Sequence, residues 1–90
     1  MAMTALKIKI MPESPETNLG AIKDAASVLL SKEGALNISF EEEPIAFGLK
    51  ALIITMAWPE QLDTDKAENI LKSIEKVSSV EIIDYRRAFG

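Results

Sequence analysis

Hydrophobic and polar positions alternate in the first stretch of the chain. From Thr4 to Met11, Leu6, Ile8 and Ile10 share one side and Lys7 and Lys9 the other, a period of two that predicts a half-buried strand. Pro12 and Pro15 then bracket a turn in which Ser14, Thr17 and Asn18 are candidate helix caps. The period changes at Leu19. Leu19, Ile22, Ala26, Leu29 and Leu30 recur at helical spacing, and Gly34 is placed to end the helix. A second strand follows, with Leu36, Ile38 and Phe40 inward against Asn37, Ser39 and Glu41, and Pro44 is expected to stop it near Glu42. Leu49 to Trp58 is apolar at nearly every position, which suits the middle of a sheet, and Pro59 terminates it. Asp63, Thr64 or Asp65 caps a second helix, Asp65 and Glu68 having the spacing of a capping box. Ala67, Ile70, Leu71, Ile74 and Val77 form its buried stripe. Ser78 and Ser79 interrupt the pattern, Val80 to Tyr85 reads as a last strand, and Arg86, Arg87 and a tail of Ala88, Phe89 and Gly90 follow.

The element order is therefore β-α-β-β-α-β. Two β-α-β halves joined by one loop predict an α+β ferredoxin-like sandwich, a four-stranded antiparallel sheet with both helices on one face. Right-handed crossovers put the first and third strands at its centre. Ninety residues suit one domain, residues 1–90. The second face of the sheet has no helix to cover it. Lys7, Lys9 and Glu81 point that way, and exposed apolar residues among them would mark a partner or dimer surface.

Composition removes several function classes. Ten Lys and Arg against fourteen Asp and Glu give a net charge of −4 and a pI near 4.8, the wrong balance for general nucleic-acid or anionic-membrane binding. The chain has no cysteine and no histidine, so thiol nucleophiles, thiolate metal sites and the usual general base are absent. We expect no catalytic residues, metal or cofactor. Gly20, Gly34 and Gly48 stand apart and form no phosphate-binding loop. Of the aromatics that RNA-binding versions of the fold stack bases on, the central strands offer only Trp58. Apolar runs are too short to span a bilayer and the N-terminus lacks a signal-peptide pattern, so a cytoplasmic location is expected. A protein-interaction module remains, with a ligand-binding regulatory domain that self-associates as the alternative.

The most distinctive stretch lies mid-chain. Three carboxylates, Glu41 to Glu43, stop at Pro44, and Ile45-Ala46-Phe47-Gly48-Leu49-Lys50 leads into the apolar strand. By itself this is a loop with a large aromatic near its tip and a cation behind it. Phe47 could fold back onto the core or stand out as a contact. Lys50 could be an ordinary strand-edge lysine, and Arg86 and Arg87 a solvated chain end. Glu43 to Leu52 closely resembles the signature of the archaeal translation elongation factor 1-beta family. Met11-Pro12-Glu13-Ser14-Pro15-Glu16 and Val80-Glu81-Ile82-Ile83-Asp84-Tyr85-Arg86-Arg87 extend the resemblance over essentially the whole chain.

The resemblance implies a guanine-nucleotide exchange factor that promotes GDP release from elongation factor 1-alpha. Such a factor needs no covalent chemistry, because tighter binding to the nucleotide-free GTPase weakens nucleotide binding by linkage. In the eukaryotic relatives a lysine near the chain end enters the Mg²⁺ and switch region. That position falls on Arg87, which keeps the charge on a larger, planar group, and Arg86 could share the role. The contact aromatic of the central loop falls on Phe47, and Lys50 matches a lysine of the motif. Monomeric action on a protein partner is the expectation.

Overall fold

A computed structural model describes residues 2–89, with side chains through Arg87. The elements are β1 (Met3–Pro12), α1 (Leu19–Lys32), β2 (Leu36–Pro44), a short 3-10 turn (Ala46–Gly48), β3 (Lys50–Pro59), α2 (Thr64–Lys72) and β4 (Val77–Phe89). They form one antiparallel sheet in the order β2-β3-β1-β4, the ferredoxin-like arrangement that the periodicities predict, with β1 and β3 central.

Register explains the core. Leu6, Ile8 and Ile10 lie opposite Met56, Ile54 and Leu52, and Thr4 opposite Trp58. All are buried, together with Ile22, Ala26 and Leu30 of α1 and Ala67 and Leu71 of α2. Each fully buried Leu or Ile contributes about 1.5–3 kcal/mol of transfer free energy, so this one layer between sheet and helices holds the fold. Trp58 is wholly enclosed, and its Nε1–H donates to the Asp63 carbonyl at 3.3 Å. The Thr4 hydroxyl donates to the Trp58 carbonyl at 3.1 Å, so this buried polar side chain is satisfied too.

The other face follows the opposite parity. Lys7 lies opposite Asp84 and Lys9 opposite Glu81, while on the far side of Lys9 come Ile53 and then Glu41. Cross-strand pairs of opposite charge are favourable on an uncovered face. Ile53 and Ala51 are nonetheless buried between these rows, so the centre of the face is closed while its β4 margin exposes Ile83.

Several expected boundaries move. Asn18 does cap α1, its Oδ1 accepting from the Ala21 N–H at 3.2 Å, and Gly34 follows the C-cap Glu33 at φ 101°. In α2, however, Asp63 stands at the N-cap and makes no side-chain capping bond, so the Asp65–Glu68 box does not form. The helix stops at Lys72, where the Ser73 hydroxyl donates to the Ile70 carbonyl at 2.6 Å. Ile74 therefore lies in a turn and Val77 opens β4. β2 continues through Pro44, which an edge strand tolerates because the missing N–H can face solvent. Leu36 is exposed instead of inward: Asn37, at φ 55°, sits in a register shift between Leu36 and Ser39 that rotates Leu36 off the core.

The largest departure is at the C-terminus. Arg86 and Arg87 do not follow the last strand as a tail but belong to it, opposite Ala5 and Thr4. β4 has 13 residues against 10 in β1, and register shifts at three places take up the excess. Ser78, Ile83 and Ala88 are the residues left without a partner in the register.

Candidate functional site

The bulge at Ile83 decides where the two arginines point. Val80 and Ile82 lie opposite Ile10 and Ile8, on the helix side of the sheet. Uninterrupted alternation would put Arg86 on that side too. The extra residue resets the parity, so Arg86, opposite Ala5, stands on the open face, and Arg87, opposite Thr4, stands on the helix side. Their ion pairs agree. Arg86 Nε meets Asp84 Oδ2 at 3.3 Å, two residues back on the same strand face. Arg87 Nη2 meets Glu60 Oε1 at 3.7 Å, beyond the end of β3. Both side chains are 77% exposed. In the free protein the two cations therefore address different sides of the sheet.

Phe47 lies at the opposite end of the sheet. Ala46 to Leu49 form a tight turn in which the Leu49 N–H donates to the Ala46 carbonyl at 3.2 Å. The Ile45 N–H donates to the Leu49 carbonyl at 2.7 Å and ties the strand ends together. Both central residues have positive φ, 62° for Phe47 and 78° for Gly48, the requirement of a type I′ hairpin turn. Glycine meets it without strain. A phenylalanine in the left-handed region costs roughly 1–2 kcal/mol, and its ring recovers nothing from the core, being 93% exposed. The strain displays an aromatic to solvent, an arrangement that tends to accompany function.

Around that turn gather the other residues of this end. A Cβ on Gly48 would lie 3.9 Å from Pro15 Cβ, so the loop after β1 packs beside the hairpin. Here two separated stretches of sequence come together around a small cleft, residues 12–20 on one side and Glu42, Gly48 and Lys50 on the other. Lys50 shares the helix side with Glu42. The two ammonium groups of Lys50 and Lys23 approach that carboxylate at 3.9 and 3.1 Å. Lys50 is thus held beside the strand, behind the turn, and does not reach the tip.

The four sequence-derived candidates therefore form no single cluster. Phe47 and Lys50 mark one end, Arg86 and Arg87 the other. Lys50 and Trp58 are separated along β3 by eight residues of strand, about 26 Å at 3.3 Å per residue, with Arg87 near the Trp58 end. The longest extent of the fold is 42 Å. Glu60 is the neighbour that sequence reasoning missed. Its pairing with Arg87 requires the β3-β1-β4 register, which no local pattern encodes. Any contact by the Phe89 side chain lies outside the described residues. Among the described residues no group of three or more acidic side chains is placed to hold a metal ion, and no helix is long and apolar enough to cross a membrane.

Comparison with known proteins gives a consistent picture. Elongation factor 1-beta of Methanosarcina barkeri is 41% identical over 88 residues, covering 97% of this chain and 99% of that protein. The proteins of the same name from Metallosphaera sedula and Methanothermobacter thermautotrophicus are each 42% identical, over 84 and 81 residues, covering 89% of this chain and 89% and 90% of their own lengths. Residues 5–88 match the family described as the EF-1 guanine nucleotide exchange domain. The match begins and ends inside the two central-to-edge strands whose register places the arginines, and it includes both loops at the Phe47 end. The chain belongs to the EF-1 guanine nucleotide exchange domain family.

Proposed function

We propose that the chain releases GDP from elongation factor 1-alpha as a two-ended clamp, the Phe47 turn gripping the GTPase and Arg87 reaching its Mg²⁺ and phosphate site. By its family the chain is a guanine-nucleotide exchange factor of translation elongation. The observation that carries the mechanism is Phe47, 93% exposed on a turn whose backbone is strained to display it. A free aromatic of this kind is a favoured interface anchor. Arg87 supplies the second element. A guanidinium near a bound Mg²⁺ repels the ion and competes for its carboxylate and phosphate partners. Lys50 adds positive charge beside the grip, and Arg86, on the other face, serves a peripheral contact.

No bond is made or broken in this scheme. The factor lowers nucleotide affinity by as much as it prefers the nucleotide-free GTPase, so protein contacts suffice and no cofactor is required. The partner is a protein, not nucleic acid or membrane. The chain acts as a monomer in the cytoplasm, where its partner works.

Release of a fluorescent GDP analogue from elongation factor 1-alpha tests the reading. Acceleration at substoichiometric amounts of this chain is expected. An active GTPase that releases nucleotide at its spontaneous rate would overturn it and favour a self-associating ligand-binding domain.

A further inference from the structure

Arg87 does not wait free in solution. Its Nη2 lies 3.7 Å from Glu60 Oε1, and the Glu60 backbone is anchored there, its N–H donating to the Ala2 carbonyl at 3.1 Å. The pair therefore bridges the end of β1, joining the residue after β3 to the outer strand. Two features describe how the arginine is held. Contact is through one terminal nitrogen at a distance beyond a hydrogen bond, so the guanidinium fork is not oriented by a bidentate partner. Both side chains also keep access to water, 77% for Arg87 and 36% for Glu60, so the attraction is screened and modest. Such a contact restrains a charge without presenting it.

We infer that Glu60 is a positioning residue that occupies Arg87 in the free protein and gives it up when the arginine enters an acidic site on the partner. The inference rests on the exchange reading above, in which Arg87 is the inserted cation. A carboxylate on the factor stands in for the carboxylates or phosphates of the GTPase site. It keeps the arginine folded toward the helix side of the sheet and subtracts from the binding gained when the cation changes partners. The weakness of the pair fits this role, because a well-made buried pair would hold the arginine against transfer. Arg86 has a separate acidic neighbour, Asp84, on the other face, and does not compete for Glu60.

The test is a nucleotide-release titration with Glu60→Gln, Arg87→Ala and the double variant, at low and high salt. Glu60→Gln keeps the shape of the side chain and removes its charge. The half-saturating concentration is expected to fall about two- to fivefold at low ionic strength, the scale of an exposed ion pair, with the plateau rate moved less. The gain disappears at high salt. It is also absent when Arg87 is already alanine, which separates partner exchange from a general change in net charge. An unchanged or raised half-saturating concentration would overturn the inference, as would an equal gain in the Arg87→Ala background. In both cases wild-type acceleration would leave the exchange reading standing. If the wild-type chain itself fails to accelerate release, both fall together.

Discussion

Replacing Phe47 separates folding from binding, because the structure gives its ring no partner and its backbone a cost. Three variants distinguish the contributions. Phe47→Ala removes the ring but keeps a Cβ at φ 62°, so stability should change by less than about 0.5 kcal/mol, as for an exposed site. Phe47→Gly also relieves the left-handed strain, roughly 1–2 kcal/mol. Part of that gain is offset by the greater freedom of glycine in the unfolded chain, about 0.5–1 kcal/mol. The net expectation is a stabilisation of about 0.5–1 kcal/mol, or a rise in Tm of roughly 2–8 °C for a chain of this size. Phe47→Asn should behave similarly, since asparagine tolerates this conformation. All three should weaken GTPase binding. Burying a phenylalanine ring is worth about 1.5–3 kcal/mol, so affinity should drop roughly 10- to 150-fold. Urea denaturation followed through Trp58 fluorescence measures the first quantity, and titration against elongation factor 1-alpha the second. Two results would refute the reasoning. A loss of more than about 1 kcal/mol in stability would mean that the ring packs on its own domain. Unchanged affinity would mean that the strain serves something other than the partner.

The remaining predictions concern the arginines and the helix caps. Arg87→Ala should lower the plateau rate of nucleotide release on the order of tenfold or more, within the usual range of coupling between sites, and affect binding less. Arg86→Ala, on the opposite face, should change it less than about twofold; equal losses would contradict the bulge-dependent assignment. Asn18→Ala should destabilise the fold by about 1 kcal/mol through loss of the α1 cap. Asp63→Ala should cost only about 0.3 kcal/mol from the helix dipole, since its side chain makes no capping bond. Paired urea titrations compare the two.

The fold was legible wherever one period ran without interruption. β1 alternates cleanly, α1 carries its stripe between Asn18 and Gly34, and the apolar run through Ile54 declares a central strand. Legibility ended at irregularities. In β4 three extra residues break the period, so Ser78 and Ser79 read as an interruption although they lie within the strand. The one at Ile83 sets the faces of Arg86 and Arg87, which alternation would have reversed. Leu36 reads as inward until the shift at Asn37 turns it out. At α2 the acidic residues offered several caps, and the turn at Ser73 to Lys76, with φ 71° at Lys76, shortened the helix. Phe47 lay between. An aromatic before glycine in a hairpin is compatible with either direction, and only the 93% exposure of the ring in the folded chain shows that it leaves the domain. Its signal was Gly48, the residue that a type I′ turn favours in its second central position.

Placement at opposite ends has a consequence for how exchange is driven. Under the proposed clamp, docking of the Phe47 turn would deliver Arg87 to the GTPase at an effective concentration set by the sheet between them, not by its own affinity. An arginine that binds weakly alone can then displace an ion and a nucleotide that bind tightly. The scheme needs the sheet to act as a ruler, a role suited to β1 and β3, whose helix-side residues from Thr4 to Ile10 and from Leu52 to Trp58 are buried. If it is rigid, the two ends should contribute independently. Sites farther apart than about 10 Å add within roughly 0.5 kcal/mol, so the binding losses of Phe47→Ala and Arg87→Ala should sum in the double variant. The GTPase in its nucleotide-free form is the partner to titrate, since nucleotide competition would mix the two ends. A double variant that binds no worse than Phe47→Ala alone would show that the arginine contacts its site only when the grip is intact. The sheet would then be passing on a change made at the turn, and the fixed-ruler account would fail.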